Sequence, residues 1–293
     1  MDWITGIQRA VDYVEAHITE PIDYEAAAGQ AYSSSFHFQR VFSILCGYTL
    51  GDYIRYRRLT LAGTELSCSG IRVIDAAYKY GYDSPESFSR AFTRFHGVTP
   101  SHARQAGAAL KSFSPLSVKL ILDGGNTMNY RIETVDAFQL ICKKWKQESG
   151  KAELPVEEIS RFWQACMADG TIDALCRYIP GRPVFGDNIV GASLGRDAAD
   201  PQYPYAIGAH YNGLPVTDPG LTVEEIPAHT YVVFPCSGKM PEALQALYVQ
   251  ICSEFFPGSE YQPCGGADFE AYPSADVSNP DYACEIWVAV EKK

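Results

Sequence analysis

The sequence predicts a chain of two domains. An all-α amino-terminal domain carries two helix-turn-helix motifs joined by a long helix, and an α+β domain follows it. Three observations predict this: a repeat at an offset of 50 residues, a break in charge near Lys111, and a change from helical to alternating hydrophobic periodicity beyond about residue 128.

The repeat comes first. Sliding the chain by 50 residues aligns Ala26/Ala76, Ala27/Ala77, Tyr32/Tyr82, Ser34/Ser84, Phe38/Phe88, Arg40/Arg90, Phe42/Phe92, Gly47/Gly97 and Thr49/Thr99, nine of the 24 positions from 26 to 49. In each copy a short alanine-containing helix leads through a turn into a second helix. Ser84-Pro85-Glu86 suits a helix start: a hydroxyl to accept an orphan amide, proline at the first helical position, and an acid at the positive dipole end. Gly47 and Gly97 stand where a left-handed residue closes a helix. Phe38, Val41, Phe42 and Leu45 recur at i, i+3, i+4, i+7, as do Phe88, Ala91, Phe92 and Phe95, so both sets face a core.

The opposite faces carry Ser35, Phe36, Gln39 and Arg40 in the first copy and Pro85, Glu86, Ser89 and Arg90 in the second. The polar side chains among these hydrogen-bond base edges or phosphates, Gln with adenine and Arg with guanine. Residues 50–66 read as one longer helix holding the two units apart, so that two recognition helices in one chain reach major-groove segments about one turn, ~34 Å, apart.

Charge agrees. The whole chain has a net charge of −11, but residues 1–111 hold 11 basic and 11 acidic side chains and the entire excess lies in residues 112–293. Arg40, Arg55, Arg57 and Arg58 cluster around a single acid, Asp52, and Arg90, Arg94 and Arg104 form a second cluster with no acid among them. Such patches contact phosphate, although solvated helix faces would carry the same charges. The sequence has no 18-residue apolar run and no basic-then-apolar start, which argues against a membrane-spanning or secreted protein and for a cytoplasmic one. Nine scattered cysteines, none spaced C-x-x-C, argue against a metal site and for reduced thiols. No cofactor motif is present.

These residues carry a resemblance. Tyr53-Ile54-Arg55-x-Arg57-Arg58-Leu59, Ala76-Ala77-x-x-Tyr80-Gly81-Tyr82-Asp83-Ser84, Phe88-Ser89-Arg90-Ala91-Phe92 and Gly97-Val98-Thr99-Pro100-Ser101 resemble the DNA-binding domain of AraC/XylS-family transcription regulators over residues 5–106. The resemblance implies DNA contacts from Ser35, Phe36, Gln39, Arg40, Arg55, Glu86, Ser89, Arg90 and Arg94, and RNA polymerase as a partner. Pro85-Glu86 stand where the family often presents glutamine-type readers, which implies a second helix bound more to backbone. Phe36 stands where tryptophan is common, which implies contact with thymine methyls.

Residues 112–127, rich in small residues and turn formers around an alternating run at 117–122, read as a linker between domains 1–111 and 128–293. Beyond it one or two strands are expected in 128–146, a helix over 155–169 with Ile159, Phe162, Trp163 and Cys166 inward, strands at 205–211, 221–226 and 229–236, a helix over 240–256, and strands at 269–272 and 284–290. This order, with Met128-Asn129-Tyr130-Arg131-Ile132, Gly238-x-Met240-Pro241-Glu242-Ala243, Phe269-Glu270-x-Tyr272 and Glu285-Ile286-Trp287-Val288, resembles GyrI-like effector-binding domains, as in Rob and multidrug-sensing activators. The resemblance implies a duplicated β-α-β-β fold with an antiparallel sheet.

Alternation puts Glu285 with Trp287, and Glu270 with Tyr272, on common strand faces. With Trp163, Tyr205, Tyr211 and Phe234 as further walls, they form a candidate site for an aromatic or cationic small molecule, the rings giving cation–π attraction and a carboxylate neutralising the charge. Core packing explains any one of these aromatics equally well. The expected function is an effector-controlled DNA-binding regulator, an activator by family habit, and not an enzyme. Two alternatives keep the DNA-binding half. In one, Glu285 or Glu270 is a general base that hydrolyses an electrophile, with His210 and His229 the histidines nearest the pocket; in the other, the acidic half binds a protein.

Overall fold

The computed structural model describes residues 3–105, 107–117, 127–146, 156–181, 183–195, 204–273, 279 and 282–293. The strand expected at 117–122 falls, apart from Ser117, outside these residues.

The amino-terminal part is helical: α1 (Trp3–Ala16), α2 (Tyr24–Gly29), α3 (Ser35–Cys46), α4 (Leu50–Cys68), α5 (Val73–Lys79), α6 (Pro85–His96) and α7 (Pro100–Ala103). The repeat is a repeat of helix stops and starts. Ser34 and Ser84 cap α3 and α6 by accepting from the amides of His37 and Ser87, and Thr49 and Thr99 cap the helices that follow. Gly47 and Gly97 close α3 and α6 at φ 75° and 83°, in the left-handed region that favours glycine.

Helix α4 is buried at positions all around its circumference because both units pack on it. Its arginines are largely structural. Arg57 pairs with Glu15 of α1 (2.8 Å) and donates to the Phe113 carbonyl, and Arg58 donates to the carbonyls of Ile18 and Glu20 beyond the end of α1. Of the first basic cluster only Arg55 is exposed, and it pairs with Asp52.

The rest of the chain forms β1 (Arg131–Val135), β2 (Phe138–Trp145), α8 (Val156–Ala168), α9 (Thr171–Cys176), β3 (Ile189–Ser193), β4 (Tyr205–His210), β5 (Thr222–Ile226) and β6 (His229–Ser237). Helix α10 (Glu242–Gln250) runs through a π-helical turn (Ile251–Phe255) into α11 (Phe256–Gly258), and β7 (Tyr261–Pro263), β8 (Asp268–Tyr272) and β9 (Ala283–Lys292) complete the domain. Three of these, α9, β3 and β7, were not expected from the sequence. Strand β3 is buried at all five positions and so shows no alternation, while α9 and β7 are too short to show a period.

The strands form one antiparallel sheet in the order β1-β6-β9-β8-β3-β4-β2-β5, with β7 added to β9. The duplication is visible in that order. One half is β2, α8/α9, β3 and β4; the other is β6, α10, β8 and β9, and the halves meet where β3 pairs with β8. Helices cover one sheet face. Ile141, Tyr205 and Ile207 pack there beneath α8 and α9, and Val232, Phe234, Ile286 and Val288 share a core with α1, α3 and α10. Leu140, Val190, Val233, Phe269 and Trp287 point to the other face, around Phe185.

The first helix-turn-helix unit therefore shares its apolar core with the sheet domain, whereas the core of the second, among the described residues, is drawn from those between Leu59 and Leu110. Phe42 and Phe92 occupy equivalent buried positions, so Phe42→Ala and Phe92→Ala should each lower stability by about 3–5 kcal/mol in urea denaturation. A loss below about 1 kcal/mol for either would contradict the packing described.

Candidate functional site

A cleft of ≈ 590 Å³ opens between α3 and the sheet domain, lined from α3 by Phe36, Arg40, Ser43 and Ile44, from α8 by Ile159, Ser160 and Trp163, and from the sheet by Tyr205, Glu270 and Tyr272. Pro241, Leu244 and Gln245 at the start of α10 close one side.

Its chemical centre is Glu270, on the central strand β8 and only 3 % exposed. Three groups hold its carboxylate. Arg40 pairs with Oε1, Tyr248 donates to Oε1 (2.9 Å), and Tyr272 donates to Oε2 (2.8 Å). Burial, then the Glu270 charge, push both phenols well above the ordinary tyrosine value, so both stay donors. Burial opposes the charge on Arg40, but the Glu270 carboxylate together with Tyr248, Tyr205 and Tyr272 outweighs it and keeps the guanidinium protonated. The guanidinium carbon also lies 5.5 Å from the centre of the Tyr248 ring.

Aromatic rings surround this pair. Trp163 Nε1 donates to the Tyr205 hydroxyl (2.9 Å), Trp163 meets Tyr272 edge-on at 5.3 Å, and Phe36 stacks on Tyr205 at 5.4 Å. Gly191, opposite Glu270 in the β3–β8 pair, makes room for them: a Cβ there would collide with the Tyr205 hydroxyl and lie 3.3 Å from Trp163.

Four of the eight expected ligand residues thus come together: Glu270, Tyr272, Trp163 and Tyr205. The other four lie elsewhere. Strand register separates the two carboxylates, because Glu270 faces Ile286 across the β8–β9 pair while Glu285 faces Ala271, which puts Glu285 and Trp287 on the opposite sheet face. There Arg131 binds Glu285 through two bonds (2.5 and 2.9 Å) and lies over Trp287. The Arg131 contact holds the Glu285 carboxyl below its usual range, in the manner of an ion pair rather than a base. Phe234 belongs to the core shared with α1 and α10, and the Tyr211 hydroxyl donates to the Leu214 carbonyl. Neither His210 nor His229 lines the cleft; His210 accepts from the Val184 amide (2.9 Å), and His229 lies beside Cys264.

The expected DNA-contacting residues divide as sharply. Glu86, Arg90 and Arg94 on α6 are exposed and Ser89 is half-buried, in keeping with a helix open to a groove. On α3, Phe36 and Gln39 are each 4 % exposed, Ser35 is half-buried and accepts from Gln39, and Arg40 is bound to Glu270. The face expected to meet DNA is turned against the sheet domain.

Sequence reasoning missed three site residues: Tyr248, Asp268 and His37. Asp268 was within reach, since it stands two residues before Glu270 on the same strand face. His37 Nδ1 lies 3.1 Å from Asp268, which also accepts from the Ala289 amide (2.7 Å). Burial pushes Asp268 up to about 8, opposed by the Ala289 amide and reinforced by the Glu270 charge. Burial, reinforced by Arg40, draws His37 down to about 4.

A pH dependence follows. Asp268 is raised above its ordinary 3.8, so its contribution to stability is complete below that value and is lost as pH rises through about 8. His37 is depressed below 6.5, so its contribution is complete above 6.5 and is lost as pH falls through about 4. Between pH 6.5 and 8 only Asp268 acts, and over that window the wild-type Tm should fall more steeply than that of Asp268→Asn. Parallel profiles would contradict the assignment.

Comparison with known proteins places both halves. Residues 27–106 match the helix-turn-helix domain model, and residues 131–290, more than half the chain, match the integron-associated effector binding protein model. The chain is 39 % identical to the regulatory protein SoxS of Escherichia coli K12 over 98 residues, which is 33 % of this chain and 92 % of SoxS. It is 32 % identical to the right origin-binding protein of the same organism over 106 residues, 36 % of this chain and 37 % of that protein. A transcription regulation protein from Staphylococcus aureus MU50, described as putative, superposes on 56 % of this chain and 99 % of its own, with a TM-score of 0.45 and 22 % identity. The chain belongs to the integron-associated effector-binding family through its carboxy-terminal domain and, joined to its amino-terminal motifs, is an AraC/XylS-family DNA-binding transcription regulator with a GyrI-like effector-binding domain.

Proposed function

We propose that this regulator is controlled by an aromatic cation that binds in the cleft with its charge on Glu270. The observation that carries this reading is a carboxylate 3 % exposed, held by two tyrosine hydroxyls and flanked by Trp163, Tyr205 and Tyr272. A positive charge offsets the cost of burying a carboxylate, and ring faces favour a cation that is also apolar. The occupied state of this box is therefore a cationic one. The hydrolytic alternative gains nothing from the geometry, because the Glu270 oxygens are engaged by a guanidinium and two phenols, as a counter-ion's are, and Glu285 is paired with Arg131.

The DNA contacts are assigned to α6 and α3, with Arg90 and Arg94 on the exposed helix and Gln39 and Arg40 on the shielded one. Activation of transcription, through contact with RNA polymerase, is the outcome in keeping with the activators this chain resembles: AarP of Providencia stuartii, 36 % identical over 95 residues, is an HTH-type transcriptional activator.

Tetraphenylphosphonium should raise the Tm of the full-length protein where a neutral aromatic of similar size does not. Glu270→Gln should abolish the rise and Glu285→Gln should leave it intact. Equal stabilisation by the neutral compound, or loss of the effect in Glu285→Gln, would sink the assignment. On the DNA side, Arg90→Ala should weaken binding to a duplex selected by the protein itself by about 1–3 kcal/mol in a gel-shift titration.

A further inference from the structure

Phe36 and Arg40 stand one turn apart on a single face of α3. The Phe36 ring stacks on Tyr205, and four residues on the Arg40 guanidinium pairs with Glu270 and lies over Tyr248. Ring on ring and charge on carboxylate is the pattern of contacts an aromatic cation would make in the same cleft. Helix α3 supplies both halves of that ligand from within the chain.

The internal repeat provides a control. Phe36 and Arg40 correspond, 50 residues on, to Glu86 and Arg90. Both of these are exposed on α6, a helix of the same length with the same caps. Burial of the first pair is therefore not a requirement of the helix-turn-helix fold; it comes from the contact with the sheet domain.

We propose that the start of α3 is the resident occupant of the effector site, that an aromatic cation and α3 exclude one another from it, and that effector entry frees α3 to enter a second major-groove segment. The proposal rests on the reading of Glu270 as the effector's counter-ion. It goes beyond that reading in making recognition-helix residues the competitor. With α3 docked, α6 is the one of the two helices whose face is exposed. Once the cation takes Glu270, Arg40 loses its partner, Phe36 loses its place on Tyr205, and the start of α3 is released. Thermodynamic linkage makes the coupling reciprocal: whatever factor the cation adds to DNA affinity, DNA adds to cation affinity.

Two titrations on the full-length protein test this. In the first, tetraphenylphosphonium is titrated into wild type and Arg40→Ala by calorimetry. Removing the resident cation should tighten binding about tenfold. Equal or weaker binding by Arg40→Ala overturns the exclusion while leaving the cation pocket standing. No binding to either protein removes the pocket reading, and the second titration then decides alone. There, duplexes selected from a random pool by wild type are bound by wild type and by Glu270→Gln, which releases Arg40 without a ligand. Glu270→Gln should bind about tenfold more tightly. Unchanged or weaker affinity overturns the sequestration of α3. Should Glu270→Gln fail to fold by circular dichroism, Glu270→Asp, which draws the carboxylate back from Arg40 by one methylene, takes its place with the same expected direction.

Discussion

The Arg40–Glu270 pair is the buried charged contact that fixes the start of α3 against the sheet domain, beside the apolar core the two share. Glu270 sits on a central strand, and its carboxylate is 3 % exposed beneath α3 and α10. Removing one partner of a buried pair leaves an uncompensated charge, which is far more costly than never having built the pair. A positive charge at this point therefore stabilises the buried carboxylate. In the present state that charge comes from a helix whose sequence is that of a DNA reader.

The duplication sharpens what is unusual about the first unit. Two helices with matching caps, matching left-handed glycines and matching core phenylalanines end in different environments. One presents Arg90 to solvent, and the other places Arg40 against an acid 230 residues away. Much of the positive charge in the first cluster is also committed internally, with Arg57 on Glu15 and Arg58 on backbone carbonyls. The acidic character of the second half then acquires a local meaning, since Glu270 is the acid that meets the basic face of a helix-turn-helix.

Much of this was legible before the structure. Helix ends are local events, so the serine, threonine and glycine positions at the offset of 50 predicted the two units. Strand alternation correctly grouped Glu270 with Tyr272 and Glu285 with Trp287. It could not say that the two groups lie on opposite sheet faces, because that depends on the β8–β9 register, where Glu270 meets Ile286. Nor could it place Phe36 and Arg40. Their spacing marks a surface face in the helix-turn-helix, and what covers that face is set by tertiary contacts with Tyr205, Tyr248 and Glu270. Strand β3 escaped notice because a strand buried on both sides loses the alternation that would reveal it.

The central claim is that one recognition helix is available and the other is held by the effector site. Hydroxyl-radical footprinting of wild type on its selected duplex, with and without tetraphenylphosphonium, tests it most directly. Two recognition helices read segments about one turn apart, so the protected region should lengthen by ~10 base pairs when the cation is added. Protection of the same length in both conditions, already spanning two major-groove segments without the cation, would contradict it.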